Sequence, residues 1–195
     1  MTIDVQILTG AALEAALGDV AALRIAVFRD FPYLYDGDEA YERRYLSAYR
    51  NAPGAILVGA FDGSRLVGAS TGTPLAHHDP AFAAPVAQAG HDVSRVFYCA
   101  ESVLLKPYRG QGVGHRFFDI REAHARDLGL SHSAFCGVLR PADHPARTSD
   151  YFPLDAFWTR RGYAPIPGAM AHFDWKEVGS EGEVTHDLQF WLRAL

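Results

Sequence analysis

The sequence predicts a mixed α/β domain, and three stretches carry that prediction. Residues 96–129 read as a strand, a glycine-rich turn and an amphipathic helix in immediate succession. Residues 55–74 read as a hairpin whose strands meet at Asp62-Gly63, a strong turn signal. Residues 163–192 supply closing strands behind a short helix. Strands and helices of this kind bury one face each against a shared core, which is layered α/β architecture. The chain has 195 residues and is expected to form one domain over residues 1–195, long enough to bury a sizeable core.

Residues 3–8 alternate as the first strand. Thr9 is placed to cap a helix from about Ala11, interrupted near Gly18 and continuing to Arg29. Its apolar stripe is Leu13, Leu17, Val20, Leu23, Val27 and Phe28. An aromatic and acidic loop follows, Phe31-Pro32-Tyr33-Leu34-Tyr35-Asp36-Gly37-Asp38. Asp36 and Asp38 suit a turn as well as they suit an ammonium group. A second helix covers 39–50, with Tyr41, Tyr45, Leu46 and Tyr49 along one side. Between the hairpin and residue 96 lies a polar, proline-containing insertion, 76–95, with a short helix near 80–88. Its histidines His77, His78 and His91 match no zinc signature and have no partner cysteines. A solvated or substrate-proximal loop is expected there, and no metal.

In the strand near 96–105, Val96, Tyr98, Ala100, Ser102 and Leu104 line one face, and Phe97, Cys99, Glu101, Val103 and Leu105 the other. Apolar residues on both faces indicate a strand covered on both sides. Pro107 ends it. In Arg109-Gly110-Gln111-Gly112-Val113-Gly114 the glycines let the backbone turn tightly and approach a ligand closely. Helical spacing then groups Phe117, Ile120 and His124, with Phe118, Arg121 and Ala125 beside them and Asp119, Glu122 and Arg126 outward. Free N–H groups at a helix start, with the planar donor fork of Arg109, make a phosphate site; a plain structural turn is the alternative. Residues 131–139 form the next strand, 140–151 an irregular loop and 153–161 a short helix ended by Gly162. Strands at 163–165, 169–175 and 188–192 close the chain, the last pair as a hairpin over 176–186.

Net charge is −5, so there is no basic footprint for nucleic acid, and the mild acidity only weakly favours a cationic partner. No apolar run is long enough to span a membrane, and the first residues, MTIDVQILTG, lack the basic and apolar regions of a signal peptide. Cys99 and Cys136 fall in predicted core strands, as reduced thiols of a cytoplasmic protein would.

A P-loop needs Lys-Ser or Lys-Thr after its glycines, and none follows here. A dinucleotide fingerprint needs G-x-G-x-x-G and an acid about twenty residues on; Gly110-x-Gly112-x-Gly114 has other spacing and the strand at 131–139 carries no acid. Arg109-x-x-Gly112-x-Gly114 resembles the R/Q-x-x-G-x-G/A signature of the GNAT superfamily of acetyl-CoA-dependent N-acetyltransferases. The segment E-S-V-L-L-K-P-Y-R-G-Q-G-V-G looks like the family's fourth strand entering its CoA-pyrophosphate loop, one residue shorter than the commonest pattern between Pro107 and Arg109. Residues 155–163, D-A-F-W-T-R-R-G-Y, resemble the later F-Y-x-x-x-G-F segment.

The resemblance implies the GNAT fold, a curved mixed sheet flanked by helices, whose fourth and fifth strands run parallel and splay apart to admit the pantetheine arm. It implies acetyl-CoA as cosubstrate, held by Val103, Leu104, Leu105, Arg109, Gly110, Gln111, Gly112, Val113, Gly114 and Phe157, with a backbone N–H near 103–105 facing the thioester carbonyl. Phe31, Tyr33 and Tyr35 would contribute to the acceptor wall, with packing of the two helices on the sheet as the alternative for these aromatics. Glu101, an acid inside an apolar strand, is the candidate base, with substrate positioning and a purely structural carboxylate as alternatives. Trp158 occupies the position of the family's usual acid, a tyrosine, and cannot donate a phenolic proton. Tyr151 is the substitute, ahead of His144 and Cys136; Cys136 as nucleophile would mean ping-pong chemistry, whereas the family transfers directly. The implied activity is acetyl transfer to the primary amine of a small-molecule or amino-acid-like acceptor, with no nucleic-acid or membrane partner, and a homodimer is compatible with it. The alternatives are a GNAT-like acyl-CoA sensor and a protein or peptide N-acetyltransferase.

Overall fold

The hairpin expected around Asp62-Gly63 forms the second and third strands of one seven-stranded sheet in the computed structural model, which describes residues 3–50 and 52–195. The strands are β1 (Asp4–Leu8), β2 (Ile56–Asp62), β3 (Arg65–Pro74), β4 (Val96–Leu104), β5 (His132–Val138), β6 (Ala164–Lys176) and β7 (Glu183–Ala194), in the order β1-β2-β3-β4-β5-β7-β6. Neighbours are antiparallel except β4 and β5. Those two pair in parallel through Val96, Phe97 and Tyr98, opposite His132, Ser133 and Ala134, and pair no further although both continue. The sheet therefore opens between them beyond Tyr98.

Helices α1 (Gly10–Phe28) and α2 (Glu39–Ser47) cover one face, and α4 (Val113–Asp127) and α5 (Asp155–Arg160) the other; α3 (Pro80–Gln88) packs on β6. The break expected near Gly18 does not occur. A mid-helix glycine costs about 1 kcal/mol against alanine, whereas Leu17, Val20, Ala21 and Leu23 are all buried on the sheet side and each large apolar side chain contributes roughly 1.5–3 kcal/mol. Thr9 does stand at the N-cap, but its carbonyl rather than its hydroxyl accepts the first bonds. Tyr41 is exposed, one position ahead of the buried stripe Glu42, Tyr45, Leu46 and Tyr49. Glu122 of α4, expected outward, is buried between Arg161 and Arg193 and accepts from the Tyr163 hydroxyl at 3.0 Å. The two short closing strands are one strand, β6, with an irregularity between Pro165 and Met170. Its hairpin with β7 turns over residues 177–182, a shorter link than expected.

Two features matter for the site. The insertion after β3 is largely exposed, as expected, yet it is anchored: Val86, with Leu75 just before the insertion, is fully buried with Val96, Tyr98, Ile166 and Phe190, and Asp79 caps α3 through the Ala81 N–H at 2.9 Å. Secondly, β4 carries a bulge. Thr71 faces Glu101 while Thr73 faces Tyr98, so β4 spends one more residue there than β3. The extra residue reverses the alternation. Phe97 and Cys99 join the α4 core, but Glu101 reaches α1 and α2, and Ser102 bonds Arg121 of α4 at 2.8 Å. The expected grouping of Glu101 with Phe97 and Cys99 thus fails at the bulge.

Candidate active site

The turn from β4 into α4 has the build of an anion cradle. Gly110 and Gly112 hold φ at 77° and 81°, a left-handed region open to glycine and costly to other residues. An added Cβ at either would meet nothing within 4 Å, so backbone conformation alone demands the glycine. The first bond within α4 runs from the Arg116 N–H to the Gly112 carbonyl at 3.2 Å, leaving the N–H groups of Val113, Gly114 and His115 without an intrahelical acceptor. Arg109 is exposed beside them and donates from Nε to the Leu104 carbonyl at 3.0 Å, which fixes its guanidinium at the end of β4. Gln111 donates to the Pro107 carbonyl at 3.2 Å. Phe157 packs over the helix start, 4.8 Å from the His115 ring and 3.7 Å from where a Gly114 Cβ would sit. Gly112→Ala is expected to destabilise the chain by about 1 kcal/mol through its φ, while Gly114→Ala is accommodated; thermal melts of the two variants separate these outcomes.

Behind this turn, the register of β4 selects backbone donors. The Leu105 N–H bonds the Val67 carbonyl at 3.0 Å, so it is committed to the ladder. By antiparallel alternation the Val103 N–H also faces β3, and the Leu104 N–H faces the opening towards β5. Of the residues expected to supply a carbonyl donor, Leu104 is the one so oriented. Ser102 is exposed in this central strand, as the opening requires.

On the α1–α2 side the opening is lined by a buried ion network and tyrosines. Arg24, 8% exposed, meets Glu42 through Nε at 2.5 Å and Glu101 through Nη1 at 2.7 Å. Glu101 Oε2 accepts from the Tyr45 hydroxyl at 3.1 Å, and Tyr45 contacts the Tyr49 hydroxyl at 3.1 Å. Glu101 is therefore not isolated among apolar groups: Oε2 accepts from Tyr45, while Oε1 lies in ion-pair contact with Arg24 but is buried without a hydrogen-bond donor among the described residues. Arg24 also lies over the rings of Tyr45 and Phe28, at 4.5 and 5.1 Å. The Tyr33 ring packs on Phe28 at 4.6 Å and Trp175 at 6.0 Å, and burial raises its pKa, with Cys136 adding. Phe31 meets Tyr151 edge-on at 4.7 Å and His144 at 5.4 Å. Burial and Asp155 raise the Tyr151 pKa, so its phenol keeps its proton. Tyr35 turns away towards α1: a Cβ at Gly37 would meet both its ring and Ile25, and burial with the adjacent Glu42 pushes its pKa up.

The loop that carries Phe31 and Tyr33 is strapped to the β6–β7 hairpin. Arg140 donates to the carbonyls of Pro32 and Tyr33 at 2.7 and 3.1 Å and pairs with Glu177. Trp175 Nε1 adds a bond to the Tyr33 carbonyl at 3.0 Å. Asp36 pairs with Arg29 and Lys176, and Asp38 caps α2 through the Tyr41 N–H, so neither acid stands ready for an ammonium group. Trp158 packs against Gly137, Phe135 and Trp191, filling the α5–β5 interface. Cys136 touches the Tyr98 hydroxyl at 3.1 Å, and burial pushes its thiol up to about 12, which removes the thiolate a nucleophile would need.

Sequence reasoning passed over Arg24, Glu42, Tyr98 and Arg121 as site residues. Arg121 is 1% exposed and donates to the carbonyls of Thr71 and Glu101 at 3.0 and 2.9 Å, holding the bulge from the α4 side. A signal existed for three of them: Arg24, Glu42 and Arg121 each continue an apolar stripe at helical spacing, and a charge at such a position is buried only with partners. Among the described residues no helix is long and apolar enough to cross a membrane, and no group of three or more His, Cys, Asp or Glu side chains could hold a metal.

No curated protein sequence matches the chain. Solved structures share its fold at low identity. The protein yncA of Salmonella typhimurium, described as an acetyltransferase and solved with its cofactor acetyl-CoA, is 10% identical at a TM-score of 0.63, covering 100% of this chain and 95% of its own. A ribosomal-protein-alanine N-acetyltransferase of Brucella melitensis is 14% identical at 0.63, covering 98% and 99%. An IAA acetyltransferase of Bacillus cereus is 10% identical at 0.55, covering 100% of both chains. The family model of the GNAT acetyltransferases matches residues 21–163, well over half of the 195, and the chain belongs to the acetyltransferase (GNAT) family.

Proposed function

We propose that the chain, as one domain over residues 1–195, transfers the acetyl group of acetyl-CoA directly to a primary amine of a small-molecule or amino-acid-like acceptor. The observation that carries this reading is the opening of the sheet beyond Tyr98, directly behind a glycine turn with free N–H groups and an arginine. The open space above Gly110 and Gly112, together with the free donors at the start of α4, fits a pyrophosphate. Acetyl-CoA, when bound, supplies the activated acetyl thioester. Arg109 and the N–H groups of 110–114 hold its phosphates, Phe157 covers the helix start, and the Leu104 N–H offers a donor to the carbonyl oxygen.

Glu101 brings negative charge to the acceptor side. Paired with Arg24 and bonded by Tyr45 through Oε2, its proposed role is to attract and orient an ammonium group and to stabilise positive charge that develops near it. Tyr151 keeps its proton and is the proposed donor towards the departing sulfur. The aromatic wall of Phe31, Tyr33 and Tyr151, fixed by Arg140 and Trp175, favours a small acceptor over an extended peptide.

Acetyl-CoA is expected to raise the melting temperature of the wild type in a saturable way, and one amine class in a panel is expected to release free CoA thiol. Arg109→Ala is expected to raise the acetyl-CoA KM about tenfold or more, as loss of a charged hydrogen bond of about 1.5–3 kcal/mol implies, while the melting temperature without nucleotide stays as in the wild type. Unchanged acetyl-CoA affinity in that variant would sink the phosphate assignment. Saturable stabilisation without turnover of any amine would favour an acyl-CoA sensor.

A further inference from the structure

We propose that His78 is the general base of this transfer, a role that rests on the reading of the chain as an acetyltransferase. The insertion between β3 and β4 holds the imidazole in place. Asp79, its neighbour, caps α3, and Phe82 of α3 stacks on Phe173 of β6 with ring centroids 4.2 Å apart. The His78 ring stacks on Phe82 at 4.6 Å and lies 4.9 Å from the ring of Tyr98. Tyr98 is the last residue of β4 that pairs with β5, and its hydroxyl crosses to Cys136 Sγ at 3.1 Å. His78 therefore sits at the mouth of the opening, on the same side of the sheet as Glu101.

Its Nε2 is buried and has no hydrogen-bond partner among the described residues. A buried ring nitrogen without a partner is costly, and a polar hydrogen from a bound acceptor would relieve that cost. With the proton on Nδ1, Nε2 presents a lone pair. Burial lowers the His78 pKa, while the carboxylates of Glu101 and Asp79 act in the opposite direction. Tyr98 and Cys136, the other titratable groups on this side, stay protonated because burial raises both. Glu101 is held in a buried ion pair with Arg24 and accepts from Tyr45 through Oε2; its Oε1 has no hydrogen-bond donor among the described residues, but the adjacent guanidinium favours its charged, electrostatic part. His78 is thus a neutral group with a lone pair to offer where the two strands part. His186, likewise buried with a lone Nε2, stacks on Trp175 at 3.6 Å, in the β6–β7 hairpin.

In the transfer the N–C bond forms and the thioester C–S bond breaks with its electron pair staying on sulfur. His78 takes the proton that the attacking amine loses, and the sulfur leaves as a thiol once it receives a proton. The imidazolium formed at His78 is favoured by Glu101, whose network with Arg24 and Glu42 carries two carboxylates against one guanidinium.

The test uses the full chain and three readouts. The acceptor is the panel amine that releases most CoA, and water itself, read as acetyl-CoA hydrolysis, where no amine does so. His78→Gln is expected to lower kcat a hundredfold or more, and the acetyl-CoA thermal shift to match the wild type. His77→Gln, an exposed neighbour, is expected to leave both unchanged. The base must be neutral, so wild-type activity is lost as pH falls through the His78 pKa, below the ordinary 6.5; the wild-type to His78→Gln ratio falls over the same range. Added imidazole is expected to restore turnover to His78→Gly. Independently of turnover, the His78 ring protons are expected to titrate below 6.5 by NMR, and lower still in Glu101→Gln. A wild type with full turnover and an undiminished His78→Gln, a flat ratio across pH, or an ordinary NMR titration overturns the assignment of His78 alone. A wild type that acetyl-CoA does not stabilise overturns the transferase reading, and His78 as its base falls with it.

Discussion

Arg24→Met is expected to destabilise the chain by about 3–5 kcal/mol, because it removes the one cation from a buried cluster and leaves two carboxylates facing each other. Glu42 is fully buried and Glu101 is 9% exposed, so neither can turn to water without moving a helix or the central strand. For a chain of 195 residues this corresponds to a melting temperature lower by roughly 6–20 °C. Arg24→Met with Glu42→Gln and Glu101→Gln is expected to recover most of the loss, since no buried charge then remains. A deficit that the triple variant keeps would attribute the loss to the packing of Arg24 on Phe28 and Tyr45 instead.

This cluster also shows how far the sequence could be read. Helix and strand periodicity located most elements: α3 falls at residues 80–88 as expected and the hairpin turns at Asp62-Gly63, while α1 runs through Gly18 and the strands expected at 163–165 and 169–175 are one. Arg24 was legible in principle: Leu17, Val20, Ala21 and Arg24 share one helical face. Its partners were not legible, because Glu42 lies on another helix and Glu101 reaches Arg24 only through the bulge. A bulge adds one residue to one strand and leaves no periodic trace when both faces are apolar, so strict alternation put Glu101 on the wrong side. His78 was hidden for a related reason. Its neighbours Phe82 and Tyr98 come together only once α3 has packed on β6, a contact that a polar and largely exposed insertion does not announce. The glycine turn was readable because its chemistry is local: the backbone conformation of Gly110 and Gly112, the helix start and Arg109 lie within a few residues of one another.

The same register that placed Glu101 assigns a catalytic part to one backbone N–H, and here the expected effect on rate is large. Leu104→Pro is expected to lower kcat by about 10²–10³, the usual cost of removing one oxyanion donor. Proline deletes the N–H and leaves the carbonyl, which holds Arg109 at 3.0 Å, in place. The variant should keep its fold, because the Leu104 N–H faces the opening and takes no part in the β3 ladder, whereas Leu105 donates to Val67 at 3.0 Å. It should also keep its acetyl-CoA thermal shift, since phosphates held at 110–114 do not depend on this donor. Val103→Pro is the contrasting variant. Its N–H faces β3 and its side chain is fully buried, so it is expected to lose a ladder bond and core packing together and to melt far below the wild type. If Leu104→Pro instead unfolds and Val103→Pro folds and turns over normally, the alternation along β4 has been assigned in the wrong phase. If Leu104→Pro folds, binds acetyl-CoA and transfers at the wild-type rate, the carbonyl oxygen finds its donor elsewhere, and the exposed Ser102 hydroxyl beside Arg121 becomes the group to change next.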